Sequence, residues 1–164
     1  MVVHWVHVVS AVLWVGGGIV SSLLILPVLT ALPPADQRRI GRAIATRMNR
    51  FYPAVAGVTF LFGLIRLLLV GYTTGWDRLI GTPYGHTWMT ALVLTLLLMV
   101  LGARFTGPTS LRMYSDDSLW RFGPGEAPPA GLMAHVQLLR TLSLIEIAGF
   151  AVVIFLMVLM HFGL

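Results

Sequence analysis

Hydrophobic residues along this chain gather into four long runs and are not interspersed with polar residues as they are around a soluble core. A helix rises about 1.5 Å per residue, so about 20 apolar residues cross the roughly 30 Å hydrocarbon layer of a bilayer. The pattern predicts an all-α membrane protein, a four-transmembrane-helix antiparallel bundle with short connections. The predicted spans of this single domain, 1–164, cover residues 2–29, 51–71, 83–105 and 133–162.

The segment before the second run has a different pattern. Residues 35–50 set five arginines against Ile40, Ile44 and Met48. This arrangement predicts an amphipathic helix that either lies at the membrane interface or leads directly into the second span.

Local signals mark both ends of the third span. Thr82 followed by Pro83 is typical of an N-cap and a first helical residue. The Gly107–Pro108 pair predicts the end of the span, because proline cannot donate a helical hydrogen bond. The polar stretch 106–131, rich in glycine and proline, is therefore expected to be a loop.

Arginines are unevenly divided between the two ends of this bundle. Nine of them lie on the side that carries segments 35–50 and 106–131, whereas the opposite side has Arg78 in the predicted loop 72–81 and Arg66 inside the second span. Positive residues stay on the cytoplasmic side of a membrane. We therefore expect a multi-pass protein of the cytoplasmic (inner) membrane with both termini on the extracytoplasmic side.

Composition agrees with the pattern and excludes several kinds of chemistry. Hydrophobic residues make up 57% of the 164 residues and charged residues only 10%, against roughly a quarter in soluble domains. The absence of cysteine excludes disulfides, thiolate nucleophiles and cysteine-held metals. All eleven cationic residues are arginine, which excludes lysine chemistry. The net charge is +5, and the arginines that produce it mostly flank the apolar runs. Binding to lipid headgroups therefore explains this charge better than binding to nucleic acid does.

Histidines show a pattern once the topology is assigned. His4, His7, His86 and His161 all fall near the extracytoplasmic ends of three different spans, whereas His135 falls at the other end. A single histidine at an interface is as well explained by hydrogen bonding as by ligation. Four of them at one depth favour a bound metal ion or haem, because ionisable groups within spans are costly and usually functional.

Two charged residues fall inside the predicted spans. Arg66 has no acidic residue at its own depth, so its expected partner is an anionic ligand group such as a haem propionate, or Asp77 folded inward. Glu146 lies in the opposite half of the bilayer. Either it pairs with Arg104 or Arg50, or it serves as a proton relay.

Three stretches of sequence carry a resemblance to known membrane proteins: Val6–Leu29, Trp76–Met89 and Leu138–Val153. With them the chain resembles the copper-resistance D (CopD-like) family and, more distantly, the four-helix HemJ-type membrane haem proteins. The resemblance implies that His7 is the family's first-helix histidine and Glu146 its fourth-helix acid. Both groups often carry a lysine in the third span, and this chain has none, which weighs against HemJ-type oxidase chemistry.

The leading hypothesis for function is a membrane-embedded protein with noncovalent haem b. Imidazole ligands would come from His7 and from His86 or His161, Arg66 would meet a propionate, and Trp14 would line the slot. Such a protein would transfer electrons between quinol in the bilayer and an extracytoplasmic redox partner, as an oxidoreductase or cytochrome, or sense redox state or gas.

Two alternatives stay open from the sequence. Copper binding or transport of the CopD type would use the outer histidines together with Met89 and Met157, which are ligand types that copper accepts. A non-enzymatic anchor or subunit of a larger complex would bind neither metal nor haem. An apolar bundle of this size is also suited to forming a homodimer.

Overall fold

The computed structural model describes residues 1–77, 81–123 and 125–162, apart from the side chains of residues 70–74. The described chain is helical throughout its long elements, and four helices are long and apolar enough to cross a membrane. The predicted all-α, four-span architecture is thereby confirmed. Spans 1 to 4 are Val2–Thr30, Pro34–Leu69, Pro83–Ser115 and Ala130–His161.

The four spans pack in chain order around the bundle. Span 1 runs along span 2, and span 3 runs along span 4. Span 2 also meets the Gly107–Ser115 part of span 3, and span 1 meets span 4, which closes the bundle. Because each span reverses direction, residues 2 and 161 lie at one end, called here the terminal end, and the other end is called the arginine end.

The outward surface of the bundle is apolar. Leu24, Leu97 and Leu144 are 61%, 61% and 64% exposed, although leucine in a soluble protein is usually buried. Exposing such a surface to water is unfavourable, whereas exposing it to lipid carries no such free-energy penalty, so the spans lie in a bilayer.

Span 2 is part of one continuous helix, Pro34–Thr74, with Pro53 inside it. The amphipathic segment 35–50 therefore leads straight into the second span, which was one of its two predicted placements. Its buried positions, Gln37, Gly41 and Ala45, are each four residues apart, so they share one helix face, which packs on the end of span 3 through Gly41 and Ala45. The predicted loop from residue 72 is helical as far as Thr74, and Arg78 lies outside the described residues.

Span 3 continues beyond the position where the sequence predicts its end. The Thr82 side chain accepts a hydrogen bond from Gly85 N at 3.2 Å, which confirms the predicted N-cap. The α-helix Pro83–Leu101 is followed by a π-helical turn, Gly102–Thr106, and by a second α-helix, Gly107–Ser115. The predicted loop from residue 106 is therefore wrong over its first ten residues.

The reason lies in how the helix accommodates Pro108. A proline within a helix lacks one donor, and its ring presses on the carbonyl one turn earlier. Here that earlier turn is the wider π-helical one. Beyond the proline, Met113 and Tyr114 are almost fully buried, so packing holds the extra helix in place. Span 1 accommodates its own proline in the same way, with the π-helical turn Ser21–Ile25 just before Pro27.

Two buried clusters hold the bundle together. The cluster at the arginine end joins all four spans around Met113 and Tyr114, and the rings of Tyr114 and Trp120 stack with centroids 5.9 Å apart. The second cluster lies nearer the middle of the bundle and contains Trp14, Ala56, Leu98, Phe150 and Val153.

Candidate cofactor site at the terminal end

A cavity of about 590 Å³ lies between the four spans toward the terminal end. Its volume is within the roughly 300–1,000 Å³ typical of sites for cofactors and small molecules. Most of its wall is apolar, and the polar side chains on it come from all four spans. They include His4, His7, Thr59, Arg66, Trp88 and His161.

His7 is held in one orientation by the backbone of span 2. Its Nδ1 lies 2.8 Å from the Thr59 carbonyl oxygen. Because a carbonyl can only accept, Nδ1 must carry the hydrogen, so in the neutral imidazole Nε2 has the free lone pair. Histidine ligands are usually oriented in this way, by a hydrogen bond from the ring nitrogen that does not bind the metal.

Gly63 provides the space that the imidazole occupies. A Cβ atom at this position would lie 2.9 Å from Cε1 of His7 and 3.1 Å from Nδ1. Any larger residue would therefore push the ring away from the Thr59 carbonyl. Neither Gly63 nor the Thr59 carbonyl was a site candidate from sequence, because no local pattern distinguishes a glycine that backs a side chain of another helix.

Arg66 follows Thr59 by seven residues, so it lies about 10 Å nearer the terminal end on a similar helix face. It lines the same cavity as His4 and His7. Within the described ranges, no carboxylate lies within ion-pair distance of Arg66, and this includes Asp77. An anionic group in the cavity would give the guanidinium a partner.

Span 4 contributes sulfur as well as imidazole to the cavity. Met157, Met160 and His161 all line it. His161 also packs edge-on against Phe162, with ring centroids 5.5 Å apart. The sequence pointed to Met157 and His161, while Met160 was not recognised.

His86 does not belong to this cavity, contrary to its predicted place among the ligands. The cavity-lining positions of span 3 include Tyr84 and Trp88, and His86 is two residues, or about 200° of helix rotation, from each. It is therefore exposed on the far side, as is Met89. Helix phase, and not depth, separates His86 from the other histidines.

The remaining histidines share a cavity without forming a compact metal cluster. Within residues 1–77, 81–123 and 125–162, no group of three or more histidine or acidic side chains is close enough to hold a metal ion. His7 alone among them has a polar contact with another span. A site here would therefore depend on a cofactor that spans the cavity.

The glycines at positions 16–18 have two different roles. A Cβ on Gly17 would lie 3.0 Å from the Tyr52 ring, and one on Gly18 would lie 3.3 Å from Phe150, so these two glycines allow close helix packing. Gly16 has nothing within 4 Å of such an atom and lines the cavity. Close packing therefore explains two glycines of the triplet, and the third leaves room at the cavity wall.

Trp14 and Phe150 form the floor of the cavity. Their rings pack edge to face, with centroids 5.2 Å apart and an interplanar angle of 79°. Together with Leu98 they also line a second cavity toward the arginine end. These three side chains are therefore a shared apolar wall between the two cavities.

Glu146 lies on the second cavity, away from the histidines. The Thr106 hydroxyl donates to its Oε1 at 2.6 Å. Neither Arg104 nor Arg50 is within ion-pair distance of it, so the predicted pairing with an arginine is wrong. The reason is again helix phase: Thr106 faces the cavity, while Arg104, two residues earlier, is exposed.

No protein-family model matches this chain, and no curated protein or solved structure is significantly similar to it. The resemblance to CopD-like and HemJ-type proteins therefore stays a prediction from the quoted stretches of sequence.

Proposed function

We propose that the terminal-end cavity binds one noncovalent haem b, which Nε2 of His7 would hold by binding its iron. The observation that carries this proposal is the hydrogen bond from His7 Nδ1 to the Thr59 carbonyl. That bond fixes the tautomer a ligand needs and leaves Nε2 for the iron. The chain has no cysteine, so the haem would be held without thioether links.

The depth of Met157 supports it as a second residue that would bind the haem iron. Trp14 and Phe150 touch at the floor, and His7 lies seven residues before Trp14. Met157 lies seven residues after Phe150 on a helix that runs in the opposite direction. Both therefore rise about 10 Å above the floor, on nearly unchanged helix faces. His161 is one turn nearer the terminal end and is the alternative ligand.

Arg66 is the proposed partner of a haem propionate. Its guanidinium carries a charge that no carboxylate of the described chain neutralises, and guanidinium groups bind carboxylates in a bidentate manner. Trp88 would pack on the macrocycle, while Trp14 and Phe150 would close the cavity below it. In these roles the protein orients the haem and excludes water.

Bound haem supplies one-electron chemistry at a potential set by its ligands. A haem in a cavity near one end of a membrane bundle is suited to passing such electrons between a quinol in the bilayer and a redox partner at the terminal end. Redox or gas sensing at the same haem is the other use of this site. The positive-inside rule supports an extracytoplasmic location for that end.

The test is an absorption spectrum of the detergent-purified protein, oxidised and then reduced with dithionite. We expect a Soret band and sharp α and β bands after reduction. His7→Ala should abolish them, whereas His86→Ala, which removes an exposed histidine on another face, should leave them unchanged. Met157→Ala and His161→Ala identify the second ligand by the altered spin state. Equal haem content in the His7 and His86 variants would refute the proposed site.

Copper binding is the second candidate, and one observation favours it. Met157, Met160 and His161 line the cavity within the last turns of span 4, and thioether with imidazole suits Cu(I). Metal analysis of the same sample distinguishes the two: a colourless protein with one copper per chain supports this candidate. A colourless, metal-free protein from haem- and copper-replete cells would instead support a role as an anchor or subunit.

A further inference from the structure

The arginine end contains a second cavity, of about 220 Å³, lined by all four spans. At roughly 30 Å³ for each molecule of liquid water, this space corresponds to about seven waters. The wall formed by Trp14, Leu98 and Phe150 separates it from the terminal-end cavity.

Hydroxyl groups line one side of this cavity from end to end. Thr106, Ser110 and Tyr114 are each four residues apart on span 3, so they share one helix face over about 12 Å. The stripe begins beside Glu146, to which Thr106 donates its hydrogen bond of 2.6 Å. On span 4, Ser143 lies one turn below Glu146, nearer the arginine end.

Tyr114 supplies an independent reason to expect water in the cavity. It is only 2% exposed, yet its hydroxyl has no hydrogen-bond partner in the described part of the chain. Its ring packs directly on Gly41, where a side chain would collide with it. A buried hydroxyl is rarely left unpaired, and water can both donate to it and accept from it.

The two π-helical turns also meet at this cavity. Ser21 and Ser22 from the first turn and Gly102, Ala103 and Thr106 from the second line it. Such turns loosen the backbone hydrogen-bond ladder and are frequent at functional sites.

We propose that this cavity holds a chain of water molecules that carries protons between Tyr114, beneath the apolar cluster of the arginine end, and Glu146, and that stops at the Trp14 wall. Glu146 would take up and release a proton from the water beside it, with no change in oxidation state. Among the residues that the structure describes, the other titratable groups that face the cavity are Tyr52, whose hydroxyl pairs with Ser21 Oγ at 2.7 Å, and Tyr114. No arginine or histidine of that part of the chain lines it.

Hydrogen–deuterium exchange at Glu146, followed by infrared spectroscopy, tests the path without any cofactor. The C=O stretch of the protonated carboxyl is assigned by its loss in Glu146→Gln. Ser143→Leu fills the path below Glu146, and Ser110→Val removes one hydroxyl with little added volume. Thr141→Leu is the matched control, because Thr141 is two residues from Ser143 on the same span and is exposed away from the cavity.

We expect rapid exchange in the wild-type protein and in Thr141→Leu. Ser143→Leu and Ser110→Val should slow the exchange about tenfold or more, which corresponds to an increase of roughly 1.4 kcal/mol in the activation free energy of proton transfer. Helix content by circular dichroism confirms that each variant is folded. Unchanged exchange in both cavity variants would overturn the proposal, and so would a wild-type band that does not exchange or never appears at acid pH. These outcomes do not depend on whether the terminal-end cavity binds haem.

Discussion

Gly63 allows a direct test of how span 2 positions the proposed ligand. In Gly63→Ala the new methyl group would lie 2.9 Å from Cε1 of His7 and 3.1 Å from its Nδ1. The distance to Cε1 is shorter than Cβ atoms adopt in real proteins. The ring must move, and the hydrogen bond to the Thr59 carbonyl is lost. Gly57→Ala is the matched control: it lies in the same helix and its Cβ meets nothing within 4 Å.

The magnitude follows from the comparison of the two variants. Both gain the same helix propensity, about 1 kcal/mol for alanine over glycine, so this gain cancels in their difference. The hydrogen bond contributes a net 0.5–1.5 kcal/mol or so, and loss of such a supporting contact to a metal ligand weakens binding about 10–100-fold. We therefore expect haem affinity in Gly63→Ala to be about tenfold or more below that in Gly57→Ala.

Titration of the apoprotein with haem, followed by Soret absorbance in detergent, measures both affinities. Thermal unfolding of the two apoproteins supplies a second readout: Gly57→Ala should be the more stable by about 1 kcal/mol, the worth of the hydrogen bond. Equal haem affinities would refute the argument that the Thr59 contact prepares His7 for ligation, even if haem does bind.

Three further predictions concern the fold. Trp120→Phe keeps the aromatic stack but removes the 2.8 Å hydrogen bond from Nε1 to the Met113 carbonyl, so unfolding experiments should show a loss of about 1–3 kcal/mol. Trp14→Ala opens the wall between the cavities and should cost about 3–5 kcal/mol, with new xenon binding at that position as the structural readout. The Ser118 hydroxyl and N–H both donate to Asp116 and lower the pKa of that carboxyl. The turn that Asp116 caps should therefore be most stable above the ordinary pKa of an aspartate and should lose this stability as the pH falls through the lowered pKa. Amide hydrogen exchange across residues 117–120 measures the effect, and Asp116→Ala is the comparison in which this pH dependence should be absent.

The spans were predictable because each depends on a local property. An apolar run long enough to cross the hydrocarbon layer has to be helical there, since lipid offers the backbone no hydrogen-bond partners. The Thr82–Pro83 start of span 3 is local in the same sense. Gly107 and Pro108 misled the prediction because buried Met113 and Tyr114 stabilise the helix beyond them through contacts with other spans.

For the candidate site, too, the sequence predicted the local properties and not the contacts between helices. Sequence and topology determined that His4, His7, His86 and His161 lie at the same end of the bundle, because depth depends only on position within a span. Which of them face one cavity depends on the rotation of each helix about its axis, and that is set by packing. In the structure, His86 is exposed and does not line the terminal-end cavity.

The sequence by itself determined the membrane environment, the number of spans and the approximate depth of every polar group, since all three follow from hydrophobicity counted along the chain. Only the tertiary structure decided the partners: the Thr59 carbonyl for His7, Thr106 for Glu146, and the Trp14–Phe150 wall between two cavities. The physical reason is that a partner on another helix is selected by close packing, which depends on residues far apart in the chain.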